Sequence, residues 1–196
     1  FAFKQNGAAA FLLDDIKDEA KAKGTGKWTS QIAMDLEVPV PAIDTAVAMR
    51  DVSKYKSLRK QMASMFNEPS QTPVTQNKTE YLVNLEKAFY FSMVITYSQG
   101  MHLLYKASHE FKYNIELDKV AKIWLGGCII RSSFLENIYQ AFHNNANLEH
   151  ILADAAIQTQ ITESLPGIRA IVSNAALNGI GIPAYASTLN YFDYLR

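Results

Sequence analysis

Residues 21–31 read KAKGTGKWTSQ, with Lys23 and Lys27 bracketing two glycines and Thr25, and Trp28 immediately after. Glycine removes the side chain that would block a close ligand and opens backbone conformations at positive φ. Lysine cations, a hydroxyl and bare N–H groups can together cradle a phosphate. The spacing is not that of a P-loop. That motif needs four residues between its first glycine and Gly-Lys, a Ser or Thr next, and a buried strand in front. Here Gly24 and Gly26 stand too close, Trp28 follows Lys27, and the preceding LLDDIKDEAKAK is charged and helix-like. The bland reading is a C-capping glycine, a turn and an exposed pair of lysines. On these residues alone both readings stand.

Two arginines interrupt apolar helical patterns. After Pro41, the positions Ile43, Ala46, Val47, Ser53 and Ser57 line one helical face, and Arg50 falls among them. Further on, Val120, Trp124, Gly127, Cys128, Phe134 and Leu135 form a stripe that includes Arg131. A buried guanidinium needs an anionic partner, because an unpaired buried charge is costly. For Arg50 a bound anionic ligand and an internal carboxylate are equally compatible with the spacing; for Arg131 an internal partner is expected. The histidines at 102, 109, 143 and 150 form neither HExxH nor a Cys/His cluster, so no metal site is expected. Cys128 beside Gly126 and Gly127 suits close helix packing rather than nucleophilic chemistry.

The elements that must position these groups are helices. Periodicity predicts a charged helix from about 10 to 22. A short helix over QIAMDLE follows, capped by Thr29 or Ser30 and stopping near Pro39. A long helix runs from Pro41 to about Met65. Residues 67–78, NEPSQTPVTQNK, read as a loop. Asn77, with Glu80 three later, caps a helix over about 78–112. One helix over 117–144, shorter ones near 147–153 and 157–178, and a last over 183–195 complete an all-α domain, residues 1–196.

Composition narrows the function. A chain of 196 residues fits one domain with a sizeable core. Its 19 Lys and Arg balance its 19 Asp and Glu, so no global field recruits nucleic acid or an anionic membrane surface. Any anion site must be local. No apolar run is long enough for a transmembrane helix. The single cysteine agrees with a reducing cytoplasm, the start FAFKQNGAAAFLL makes a poor signal peptide, and the absence of an initial Met is expected of a piece of something longer.

KGTGKWTSQ, Arg50, YSQG at 97–100, GGCIIRS at 126–132 and GIPAYASTLNYFDYLR at 181–196 together resemble the 6-phosphogluconate dehydrogenase family. The likeness covers nearly the whole chain and is to the family's all-helical C-terminal domain. It implies oxidative decarboxylation of 6-phosphogluconate to ribulose 5-phosphate and CO2, in the pentose phosphate pathway, with NADP (NAD in some members) as hydride acceptor. It also implies a homodimer. By the same resemblance Lys23, Thr25 and Arg50 hold the substrate phosphate, while Lys27, Trp28 and Arg131 are structural.

The resemblance also implies what is missing. The family's nicotinamide-binding domain, and its lysine base and glutamate acid, would precede residue 1, so no catalytic residue is expected in this chain. The family's tail, which lends an arginine and a histidine to the neighbouring subunit, would follow Arg196. Leu195 in YFDYLR replaces a more usual tyrosine. The chain by itself is therefore expected to be inactive. The alternative is a non-enzymatic helical module for dimerisation or phospho-ligand binding.

Overall fold

Helix α5 (Lys78–Glu110) is the spine of the fold: its 33 residues make a rod of about 50 Å. The computed structural model describes residues 11–66 and 77–196, and every regular element among them is helical, as expected. Asn77 caps α5 as its spacing from Glu80 predicts, its Oδ1 accepting the Thr79 N–H at 3.0 Å. Helix α8 (Ala155–Leu177) lies along the spine, and Asp154 caps it by accepting from the Ala156 and Ile157 amides. The two helices bury Ala88, Phe91 and Ile95 with Ile161, Ile168 and Ile171. They approach so closely at Gly167 that a Cβ there would stand 2.4 Å from Lys87 Cβ and 2.9 Å from the Asn84 carbonyl.

Helices α6 (Leu117–Leu125) and α7 (Phe134–Asn144) pair on one side of this core. Helix α9 (Pro183–Leu195) closes another, with Phe192 edge-on to Phe91 at 5.4 Å. A second, smaller core of Ala33, Val38, Val40 and Leu103 fastens α2 (Thr25–Asp35) and the start of α3 (Pro41–Ser53) to the spine. The N-terminus of α3 has no side-chain cap of its own. Its Ala42 N–H instead donates to Oε1 of the buried Gln99 of α5, at 3.0 Å.

Four expected boundaries are corrected. The helix expected over 10–22 is only α1 (Leu12–Asp15), residue 10 lying outside the described residues. Beyond it the charges serve tertiary pairs instead of helical ones. Asp18 binds Lys56 at 2.9 Å and Arg59 at 3.0 Å, and the Ala20 N–H donates to Ser53 Oγ at 3.0 Å. Helix α2 starts at Thr25, earlier than expected; Thr29 is not its cap, and its hydroxyl donates back to the Thr25 carbonyl.

The long helix expected over 41–65 breaks at Lys54 and Tyr55 into α3 and α4 (Lys56–Met65). There Arg59 Nη2 takes the Ser53 carbonyl and Asp18 together. The helix expected over 117–144 breaks at GGCIIRSS. Two adjacent glycines weaken a helix, Gly127 sits at φ +153°, and the Tyr97 hydroxyl donates to the Ile130 carbonyl. Most of the loop expected over 67–78 lies outside the described residues.

Two glycines give opposite predictions. Gly167→Ala forces α8 off α5, and overpacking of about 1–3 kcal/mol outweighs the roughly 1 kcal/mol gained in helix propensity. Gly100, in α5, has open space where its Cβ would be, so Gly100→Ala is expected to stabilise by up to about 1 kcal/mol. Thermal melting checks the pair: the two substitutions should move Tm in opposite directions.

The strap at Asp18 has its own signature. Hydrogen bonds from Lys56, then Arg59, hold the Asp18 carboxyl down to about 2. A carboxylate lowered in the fold stabilises it above the ordinary value and loses that contribution as pH falls through the lowered one. The strap therefore loosens between about pH 4 and pH 2. At neutral pH, Asp18→Asn should speed proteolytic cleavage after Lys17 and Lys21 severalfold; unchanged cleavage would refute the strap.

Candidate functional site: an anion corner between α2 and α3

The site is built where α2 begins. Gly24 occupies the N-cap with φ +96°, a left-handed conformation that glycine adopts without a Cβ penalty. It has no side chain with which to satisfy the first helical N–H groups, and no acidic residue stands in the first turn. The open donors of Thr25, Gly26 and Lys27 and the positive end of the helix dipole then face one spot. A helix N-terminus of this kind favours an anion.

Two ties bring this turn against α3. A Cβ on Gly26 would stand 2.9 Å from Val47 Cγ2, so the two helices touch there. Val47 and Arg50 are three residues apart and share a helical face. On the other side of the loop, the Ala20 amide donates to Ser53 Oγ, and that hydroxyl donates to the Arg50 carbonyl at 2.7 Å. The residues between Ala20 and Gly26, Lys23 and Thr25 included, are thus bracketed against the last two turns of α3. Gly26 proves to be a packing glycine; only Gly24 has the backbone freedom that the spacing suggested for both.

The charges at this corner are uneven. Lys17, Lys54, Lys56 and Arg59 are each engaged by a carboxylate. Lys23, Lys27 and Arg50 are exposed and form no ion pair among the described residues. Of the two readings of Arg50, an internal carboxylate is therefore not realised among these residues. The expected apolar face around it is weak as well: Ile43 and Val47 are half-buried, while Ala46 and Ser57 are exposed. Among the described residues the corner is a set of cations without carboxylate partners beside open helix donors, an arrangement whose chemistry suits an anion.

Other candidates fare differently. Arg131 is exposed in the break between α6 and α7 and forms no ion pair among the described residues, so the expected internal partner is corrected. Trp28 is 65% exposed, its ring edge lying against Gly24, and is not a core residue. No group of three His, Cys, Asp or Glu among the described residues could hold a metal ion. No helix among them is long and apolar enough to cross a membrane. Sequence reasoning missed Asp18, Ser53 and Gln99 as positioning residues. Only Gln99 left a signal, as a polar residue on the buried face of α5.

Comparison with known proteins agrees with this architecture. The family model for the 6-phosphogluconate dehydrogenase C-terminal domain matches residues 1–196. A decarboxylating 6-phosphogluconate dehydrogenase from Lactococcus lactis is 38% identical over 98% of this chain and 41% of its own length. An NADP(+)-dependent, decarboxylating 6-phosphogluconate dehydrogenase from Bacillus subtilis is 37% identical over 100% of this chain and 42% of its own. The solved 6-phosphogluconate dehydrogenase of Plasmodium falciparum superposes with a TM-score of 0.92 at 36% identity, over 99% of this chain and 42% of that one. The chain thus spans about two-fifths of the length of these relatives. It belongs to the 6-phosphogluconate dehydrogenase family, as that family's all-helical C-terminal domain.

Proposed function

We propose that the protein carrying this domain oxidises and decarboxylates 6-phosphogluconate to ribulose 5-phosphate and CO2, and that this domain holds the substrate's phosphate. The observation that carries the reading is the corner itself, where Lys23 and Arg50 form no ion pair among the described residues and lie beside the open N-terminus of α2. A phosphate dianion there would neutralise both. Lysine supplies a point charge, arginine a fork for two oxygens, and Thr25 a hydroxyl and an amide. Fixing the phosphate end orients the sugar acid for chemistry at its other end.

NADP is the proposed hydride acceptor, on the strength of the Bacillus subtilis relative's name and of the Plasmodium falciparum enzyme, studied in complex with NADP+. The residues described here do not fit a dinucleotide site. The glycines of KGTGK open α2 with no strand in front, whereas a dinucleotide fingerprint needs a strand–turn–helix. No step of hydride transfer is assigned to them. The single cysteine, Cys128, free in the fold, supports a cytoplasmic location.

We further infer a homodimer. Helix α4 has no buried residue, and Leu58, Met62 and Met65 on it are exposed with Phe66 just beyond, an apolar surface of the kind interfaces use. Sedimentation at micromolar concentration is expected to give a dimer; a well-folded monomer would count against it.

The phosphate assignment is tested by two substitutions. A charge-assisted contact is worth about 1.5–3 kcal/mol, so Arg50→Ala should raise the Michaelis constant for 6-phosphogluconate by about one to two powers of ten. Lys27→Ala should raise it less, since the reading gives Lys27 no direct contact. Thermal melting should show both variants folded. If Arg50→Ala leaves substrate affinity intact while Lys27→Ala abolishes it, the phosphate lies elsewhere.

A further inference from the structure

Two imidazoles are packed together between α5 and α9. His102 of α5 and His150, in the connection after α7, meet edge to face with ring centroids 5.2 Å apart. His150 opens the 3-10 turn Ile151–Ala153, and its two nitrogens are committed in opposite senses. Nδ1 accepts the Leu152 N–H at 3.3 Å, capping the turn. Nε2 stands 3.0 Å from the hydroxyl of Tyr191, a buried residue of α9. An acceptor nitrogen carries no proton, so the neutral ring has its hydrogen on Nε2, which donates to Tyr191 Oη. The geometry admits that one tautomer only. A second proton would have to sit on Nδ1, where the Leu152 N–H already points.

We propose that His150, backed by His102, is an acid-released latch: with both rings neutral it holds the 3-10 turn and α9 against α5, and a proton on Nδ1 displaces the Leu152 amide and frees that corner.

The surroundings offer the added charge little. On α5, both nitrogens of His102 are buried without a hydrogen bond among the described residues, and Lys106 one turn on is cationic. The carboxylate at hand is Glu149, which is ion-paired to Lys106 and reaches His102 Nε2 only at 3.5 Å. From α9 comes the uncharged Tyr191, while Asp193 is held by Arg169 of α8 at 2.6 and 2.9 Å and by Arg196. On α7, His143 faces Asp118 of α6 instead. From α3, packed against α5 and α9, the charged side chains are Asp44, Arg50 and Asp51, and none of them is hydrogen-bonded or ion-paired to either ring.

Burial, then His102, push His150 down to about 4, and burial also lowers His102. A histidine lowered in the fold stabilises it fully above the ordinary value near 6.5, and that contribution fades as pH falls through the folded value. The latch therefore weakens between about pH 6.5 and pH 4. From pH 7 to pH 5 these values favour the opened corner by roughly 20-fold.

Hydrogen exchange on the full chain, corrected for the intrinsic pH dependence of exchange, tests this. Peptides covering 148–153 and 186–192 should lose protection by about that factor between pH 7 and pH 5, while the α5–α8 contact around Phe91 and Ile168 keeps its own. His150→Asn should reduce the pH dependence to what His102 alone contributes, because asparagine keeps an acceptor at the cap and takes no proton. Undiminished protection at pH 5, or the same loss in His150→Asn, overturns the latch. If the variant fails to fold, NMR titration of His150 in the unmodified chain decides. Titration well below 6 supports the latch, and titration near 6.5 refutes it.

Discussion

The hydrogen bond from the Ala42 amide to Gln99 Oε1 is the constraint on which the placement of α3 depends. Helix α3 starts at a proline with no side-chain cap of its own, so one of its orphan donors would be buried unsatisfied without Gln99. Because Gln99 lies on the spine of the fold, the bond fixes where α3 begins, and the helix then carries Val47, Arg50 and Ser53 outward at set intervals. Val47 receives α2 at Gly26, and Ser53 receives the strap at Ala20. A glutamine in the middle of an apolar helix thus determines where a cation two turns down another helix can stand.

The same reasoning separates the rigid part of the molecule from the adaptable part. The α5–α8 contact is a close-packed core, tight enough at Gly167 to exclude a methyl group. The corner made by α2, α3 and α4 is held by a small second core, a strap of exposed ion pairs and single hydrogen bonds. Surface pairs of that kind are individually weak. A site that must admit and release a ligand is better built on the second sort of scaffold than on the first.

Much of the architecture was legible in the chain because long amphipathic periods and local caps are local signals. Asn77 announces α5, and prolines mark the starts of α3 and α9. The errors share one cause, which is that tertiary partners overrode local propensity. LLDDIKDEAKAK has the charge spacing of a helix, yet Asp18 answers to Lys56 and Arg59 across the fold. GGCIIRSS lies within a helical period over 117–144, yet the Tyr97 hydroxyl donates to its Ile130 carbonyl. Lys23 and Thr25 were legible from glycine spacing, and Arg50 from its oddity on a helical face. The face itself is weaker than its period suggests, because the 41–65 pattern runs across a break at Lys54 and Tyr55 where Arg59 binds Asp18 and the Ser53 carbonyl. Neither strap nor trans-cap is visible in one dimension.

The central claim is that Lys23, Thr25 and Arg50 converge on one phosphate. A crystal structure of the full-length protein with 6-phosphogluconate bound measures this most directly. The account predicts phosphate oxygens at hydrogen-bond distance, about 3 Å, from Lys23 Nζ, from Thr25 and from the Arg50 guanidinium, at the open end of α2. A phosphate held elsewhere, with Arg50 still unpaired and the α2 donors facing solvent, would contradict it.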